Sequence, residues 1–162
     1  TRLGDVKGLG DLVKRNLLSE DKLKAIRELP YGNIVKLMLG MNGKPWEAVP
    51  AFSKPANGSF RTDNPYLQNT WITSVGQKGQ EDSIITILIA GNEAKQPIAT
   101  IKKNCQKAIA KLFDKSEEAI FNHRHSFHHW PKNQFMRGSY SYYHPGQYTT
   151  LRNVVGLPEI NG

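Results

Sequence analysis

A chain of 162 residues, 38% of them hydrophobic, has room for one apolar core but not for two full-sized domains. Its formal charge of +8 admits phosphate-rich or anionic partners without naming one. No apolar run approaches the roughly 20 residues that cross a bilayer, and the single cysteine, Cys105, excludes both an internal disulfide framework and a cysteine-built zinc site.

The chain opens on Thr1 rather than methionine, which reads as a processed or cut product and leaves localisation unread. Residues 1–18 are basic and punctuated by Gly4, Gly8 and Gly10. These glycines are too loosely spaced to form a phosphate loop, so the segment reads as an extended lead-in to a domain spanning 19–162. Ser19 is a good helix N-cap, Glu20 and Asp21 suit the positive end of a helix dipole, and Leu18 can staple onto Leu23. A helix over about 19–29 follows, with Leu23, Ile26 and Leu29 at every third position, and Pro30 stops it.

Tyr31 to Gly40 is an apolar run with β-branched residues and reads as a buried strand with one lysine, Lys36, in its middle. An ammonium there needs water or a partner, so the residues alone predict a strand with one wet face or a lysine reaching past the edge. Asn42 to Pro45 is a turn, 50–58 is a loop rich in Pro, Ser and Asn, and Gly76 to Gly79 breaks the chain. Ser83 to Ala90 is almost continuously apolar and predicts a strand covered on both faces.

Pro97 suits a first helical turn, and Ile98, Ile101, Cys105, Ile109 and Leu112 recur at spacings of three and four. They predict a helix over about 97–114 that buries this stripe on a sheet. Lys103, Lys107 and Lys111, with Lys102 and Lys115 nearby, form a basic stripe on the same helix. No aromatic residues interleave them as nucleic-acid stacking requires, so the stripe reads as a solvated face. From Ala119 to Trp130 the alternation of side chains predicts another strand. The spacing of His123, His125, His128 and His129 fits no recognised ligand set and holds no interleaved carboxylate, so no metal site is assigned. The stretch Arg137 to Gly146, taken by its residues alone, reads as a turn leading into an aromatic strand.

Trp130, then Gly138-Ser139-Tyr140 across a short polar run, resembles part of the flavin site of the flavin-containing amine oxidases, the monoamine oxidase and L-amino acid oxidase superfamily. A second match has Tyr31-Gly32, Lys36 and Pro45-Trp46 in the family's order, and the stretches Ser59 to Pro65 and Thr70 to Ser74 resemble the family's next two strands. The resemblance implies an α+β fold, a mixed, largely antiparallel β-sheet packed against helices. It implies that Trp130, Gly138 and Ser139 line the flavin, that Tyr140 walls an aromatic substrate cage, and that Lys36 holds a water against flavin N5.

It further implies FAD as cofactor, with oxidative deamination of an amine or amino acid and peroxide as product. Members with covalent flavin carry cysteine where this chain has Ser139, so the resemblance implies non-covalent FAD. Arg61 and Arg137 are candidates for a substrate carboxylate. The family's Gly-x-Gly-x-x-Gly turn and its Phe-Ala-Gly-Glu-like closing segment do not occur in the 162 residues. The expectation is therefore a fragment or subunit, inactive alone, whose partner is the remaining FAD-binding part of the same enzyme. Two readings stay open: a carotenoid desaturase or porphyrinogen oxidase of the same architecture, and a non-catalytic basic domain that docks on an acidic partner or nucleic acid.

Overall fold

The computed structural model describes residues 8–49, 58–78 and 81–159. The chain divides into two compact units, one of Asn33–His129 and one of the flanking segments Thr1–Gly32 and Trp130–Gly162. The loop expected over 50–58 lies, except for Gly58, outside the described residues.

The central unit is an antiparallel sheet with a helix on one face. Its strands are β1 (Ile34–Met41), β2 (Ser59–Phe60), β3 (Asn69–Ile72), β4 (Ser83–Ala90) and β5 (Phe121–His129), in the order β2-β3-β4-β1-β5. β1 and β4 pair along their full length, from Ile34 opposite Ala90 to Met41 opposite Ser83. The period-two alternation of a strand then sorts the side chains. Val35, Leu37, Leu39 and Met41 of β1 and Ile85, Ile87 and Ile89 of β4 are buried in one core. The helix α3 (Ile98–Leu112) contributes Ile101, Cys105 and Ile109 to it, the stripe its spacing predicted. Trp46, in a short turn after β1, is buried in the same cluster. A one-turn helix, α4 (Glu117–Ile120), capped by the Ser116 hydroxyl accepting from Ala119 N–H, leads into β5.

The fold is α+β as expected, with every described strand pair antiparallel. The second face of the sheet carries Lys36, Met38, Trp71, Ile84 and Thr86. Thr86 is fully buried there, where its hydroxyl meets that of Thr73, but Ile84 keeps 40% of its surface exposed. β4 is therefore covered on both faces at its centre and open at its start.

Burial pushes the Cys105 thiol from 9.0 up to about 12, and its S–H donates to the Tyr66 carbonyl at 3.4 Å. Alkylation at mildly alkaline pH is expected to leave native Cys105 unmodified and to label it fully in denaturant, as mass spectrometry can read. The raised value also fixes a sign. Above about pH 9 the unfolded chain releases this proton while the folded chain keeps it, so the thiol's contribution to stability is present below pH 9 and lost as pH rises towards 12.

The flanking unit contains α1 (Leu9–Lys14), α2 (Glu20–Glu28) and α5 (Gln147–Gly156). Residues 9–14 are helical where an extended lead-in was expected; Asp11 in the first turn and Lys14 in the last complement the helix dipole, a local balance that the glycine count obscured. Ser19 caps α2 as predicted, accepting from Lys22 N–H at 3.2 Å. Lys22 then closes the end of α5: its ammonium donates to the carbonyls of Val155 at 3.0 Å and Leu157 at 2.6 Å and lies 3.5 Å from Glu159. Glu159 in turn accepts from the Ser19 N–H at 2.7 Å.

Candidate functional site

In the flanking unit, two segments far apart in sequence come together as a narrow backbone ladder. Gly32 N–H donates to Tyr140 O at 2.8 Å, Ser139 N–H to Gly32 O at 2.9 Å, and Tyr142 N–H to Pro30 O at 3.1 Å. Tyr31 and Ser141 form an antiparallel bridge. The approach needs two glycines. A Cβ on Gly32 would sit 2.7 Å from the Ser139 carbonyl oxygen, and one on Gly138 would sit 2.5 Å from Tyr31 Cβ and 3.1 Å from Gly32 O. Neither glycine is there for a left-handed backbone; each is there because its partner segment occupies the Cβ position.

The polar run before this turn is ordered from within. Trp130 begins a short 3-10 turn whose carbonyl accepts from Asn133 N–H at 3.0 Å. The Asn133 side chain then accepts from the N–H groups of Phe135 at 3.0 Å and Met136 at 3.1 Å, and Arg137 N–H returns to Asn133 O at 2.9 Å. Arg137 follows with φ 55, and the Ser139-Tyr140 peptide is cis. The outcome is a buried Gly138, a half-buried Ser139 and Trp130, and a Tyr140 ring 69% exposed. Beyond the turn Tyr143 meets Tyr148 edge-on at 5.5 Å, and the Arg152 guanidinium lies 5.0 Å from the Tyr148 ring centre.

Lys36 belongs to the central unit, in the middle of β1. It stands on the second face of the sheet, half-exposed, with Leu88 of β4 and His128 of β5 directly opposite it on the two neighbouring strands. Its ammonium lies 5.7 Å from the centre of the Trp71 ring, a cation–π contact from β3. The wet-face reading of the strand accounts for this lysine: its neighbours Val35 and Leu37 enter the core while it does not. Arg61, exposed directly after β2, and Arg137, whose Nε donates to the Gln134 carbonyl at 3.1 Å, lie in different units.

Of the residues singled out from the sequence, Gly138, Ser139 and Tyr140 thus meet Tyr31 and Gly32 in one turn of the flanking unit, Trp130 starts a separate short turn of that unit, and Lys36 sits in the sheet unit. Trp71 and His128 were not singled out as neighbours of Lys36, since their adjacency arises from strand register. Trp71 entered the sequence reading only within Thr70 to Ser74, the stretch that resembles one of the family's strands.

Residues 3–158 match the family described as flavin containing amine oxidoreductase, which places nearly the whole chain within that family. No curated protein matches the chain. Among solved structures, cyclohexylamine oxidase from Brevibacterium oxydans IH-35A aligns with a TM-score of 0.66 at 12% identity, over 88% of this chain and 32% of that one. A putrescine oxidase with putrescine bound aligns with a TM-score of 0.57 at 9% identity, over 76% of this chain and 26% of that one. These identities speak to the fold, and the chain spans between a quarter and a third of either enzyme's length. The chain belongs to the flavin-containing amine oxidoreductase family.

Proposed function

We propose, from that membership and the geometry of the turn, that residues 1–162 are the substrate-binding portion of an FAD-dependent oxidase of amines or amino acids. The observation that carries the reading is the paired-glycine turn. Two backbones held at glycine contact present an exposed Tyr140 ring beside the Ser139 hydroxyl, a surface suited to one edge of a planar aromatic group. The residues fit a flavin ring in chemistry: a half-buried indole at Trp130, a hydroxyl at Ser139 and an uncovered phenol at Tyr140.

FAD, when bound, supplies the electron chemistry, accepting hydride from the carbon that bears nitrogen and passing the electrons to oxygen. In this reading Trp130, Gly138 and Ser139 line the ring, and the Ser139 hydroxyl leaves that contact non-covalent. Tyr140 offers its ring face to the amine and shields that side from water. Lys36, steadied by Trp71, holds a water through its ammonium. No Gly-x-Gly-x-x-Gly turn is present in the 162 residues, so the pyrophosphate is assigned to a partner polypeptide or to sequence outside them.

A second reading, a basic docking domain, draws on α3, where Lys103, Lys107 and Lys111 are exposed and the first turn holds no acidic residue. A salt-dependent complex with nucleic acid that disappears when these three lysines become glutamate would carry it.

The tests are direct. The 162-residue chain alone is expected to bind FAD weakly and to release no peroxide from any amine. The product of the uninterrupted reading frame is expected to be yellow, with the absorbance of oxidised flavin, and to bleach when an amine is added without oxygen. Peroxide from the isolated chain removes the fragment reading, and a colourless full product removes the oxidase reading.

A further inference from the structure

On the second face of the sheet unit, Gly40 of β1 lies against the irregular start of β5. The register of the two strands shifts between Leu39 and Met41, whose partners are His125 and Phe121, so residues 122–124 face Gly40 alone. His123 takes up the slack with φ 65. The Asn122 side chain fills the space beside Gly40: a Cβ built there would lie 3.0 Å from Asn122 Cγ and 3.1 Å from Arg124 Cβ. Asn122 is fixed in place by three hydrogen bonds. Its Nδ2 donates to Asp82 Oδ2 at 3.0 Å and to Met41 O at 3.4 Å, and its Oδ1 accepts from Arg124 N–H at 3.2 Å.

This arrangement opens a concavity of about 300 Å³. Met38, Gly40 and Ile84 give it apolar lining, Asp82 and Arg124 give it one formal charge of each sign, and His125, whose ring meets the Lys102 ammonium at 3.2 Å, completes its polar side. The two charges do not cancel. Among the described residues neither Asp82 nor Arg124 forms an ion pair, with the other or with any third group. Asn122, bonded to the Asp82 carboxylate and to the Arg124 backbone, holds the two segments side by side.

A ligand with a single charge leaves one of these groups unanswered as it covers the pocket. A ligand with both charges close together and an apolar tail answers both and covers Met38 and Ile84. The guanidinium is well shaped for a carboxylate, which it can hold by two parallel hydrogen bonds. The volume lies at the small end of ligand sites and suits a molecule of amino-acid size.

We infer that this pocket binds a free α-amino acid with an aliphatic side chain, its carboxylate at Arg124, its ammonium at Asp82 and its side chain against Met38 and Ile84. An amino acid so held is protonated at nitrogen and therefore has no lone pair to drive hydride loss. The pocket is thus a binding site, and the inference does not rest on the flavin reading.

The experiment is an NMR titration of the isotope-labelled 162-residue chain, without flavin, with leucine, isopentylamine and isocaproate. Leucine is expected to give saturable shifts at the amides of Gly40, Ile84 and Arg124. The amine and the carboxylate, each missing one charge, are expected to bind at least about tenfold more weakly. Arg124→Gln and Asp82→Asn, both at exposed side chains, are expected to weaken leucine by a similar factor while the rest of the spectrum is unchanged. The inference is overturned if leucine gives no saturable shift, if the singly charged analogues bind as well as leucine, or if both variants bind leucine like the parent chain.

Discussion

Gly138→Ala and Gly32→Ala each lower the stability of the flanking unit by about 1–3 kcal/mol, while Gly156→Ala leaves it unchanged or slightly raised. The difference follows from what each new methyl group meets. At Gly138 it would meet Tyr31 Cβ at 2.5 Å and Gly32 O at 3.1 Å; at Gly32 it would meet the Ser139 carbonyl oxygen at 2.7 Å. These atoms are backbone or fixed directly to it, so no rotamer change relieves the contact. The ladder from Pro30 to Tyr142 has to separate, and its hydrogen bonds at 2.8–3.1 Å are lost with it. At Gly156, the last residue of α5, nothing lies within 4 Å of the added carbon. Thermal melts rank the three variants, and amide hydrogen exchange at Gly32 and Ser139 locates the damage. Protection at these amides equal to the parent chain's in Gly138→Ala would mean that the turn tolerates a side chain, and the paired-glycine argument would fail.

The elements that were legible in the sequence are those written by local pattern. The spacing of Ile101, Cys105 and Ile109 marks the buried stripe of α3, and Ser19 followed by Glu20 and Asp21 marks the start of α2. The apolar run from Ser83 to Ala90 has the same bounds as β4. What the sequence hid depends on register between distant segments. Gly32 and Gly138 look like ordinary turn glycines until Tyr31 and Ser141 are paired. Trp71 becomes a neighbour of Lys36 only because β3 and β1 flank β4, and the pocket beside Gly40 exists only because β5 loses step with β1 there. The alternation from Ala119 to Trp130 likewise reads as an unbroken strand, whereas 117–120 turn helical under the Ser116 cap and His123 breaks the extended backbone. Local propensity cannot report either event, since each is decided by what the partner strand presents.

On the proposed oxidase reading, Lys36→Met in a flavin-loaded enzyme that contains this chain is expected to slow one flavin half-reaction by about a hundredfold or more, well beyond any change in melting temperature. Methionine keeps the length and apolar stem of the side chain, so β1 should still pair with Leu88 on one side and His128 on the other. What is removed is the ammonium, and with it the proposed hold on water and the observed contact with Trp71 at 5.7 Å. Trp71→Leu separates these two losses: it removes the cation–π contact and leaves the charge, and it is expected to cost much less than Lys36→Met. Tyr140 is changed in parallel. Its ring is 69% exposed in this chain, so Tyr140→Ala is expected to leave the fold intact while weakening reduction of the flavin by amine about tenfold, and Tyr140→Phe, which keeps the ring face, is expected to stay within a few-fold of the parent. Stopped-flow absorbance at the flavin band measures reduction without oxygen and reoxidation with it as separate rates. Parent-like rates in both half-reactions for Lys36→Met, together with unchanged reduction in Tyr140→Ala, would leave Lys36 as the polar phase of a strand and Tyr140 as an exposed turn residue, with no part in the chemistry.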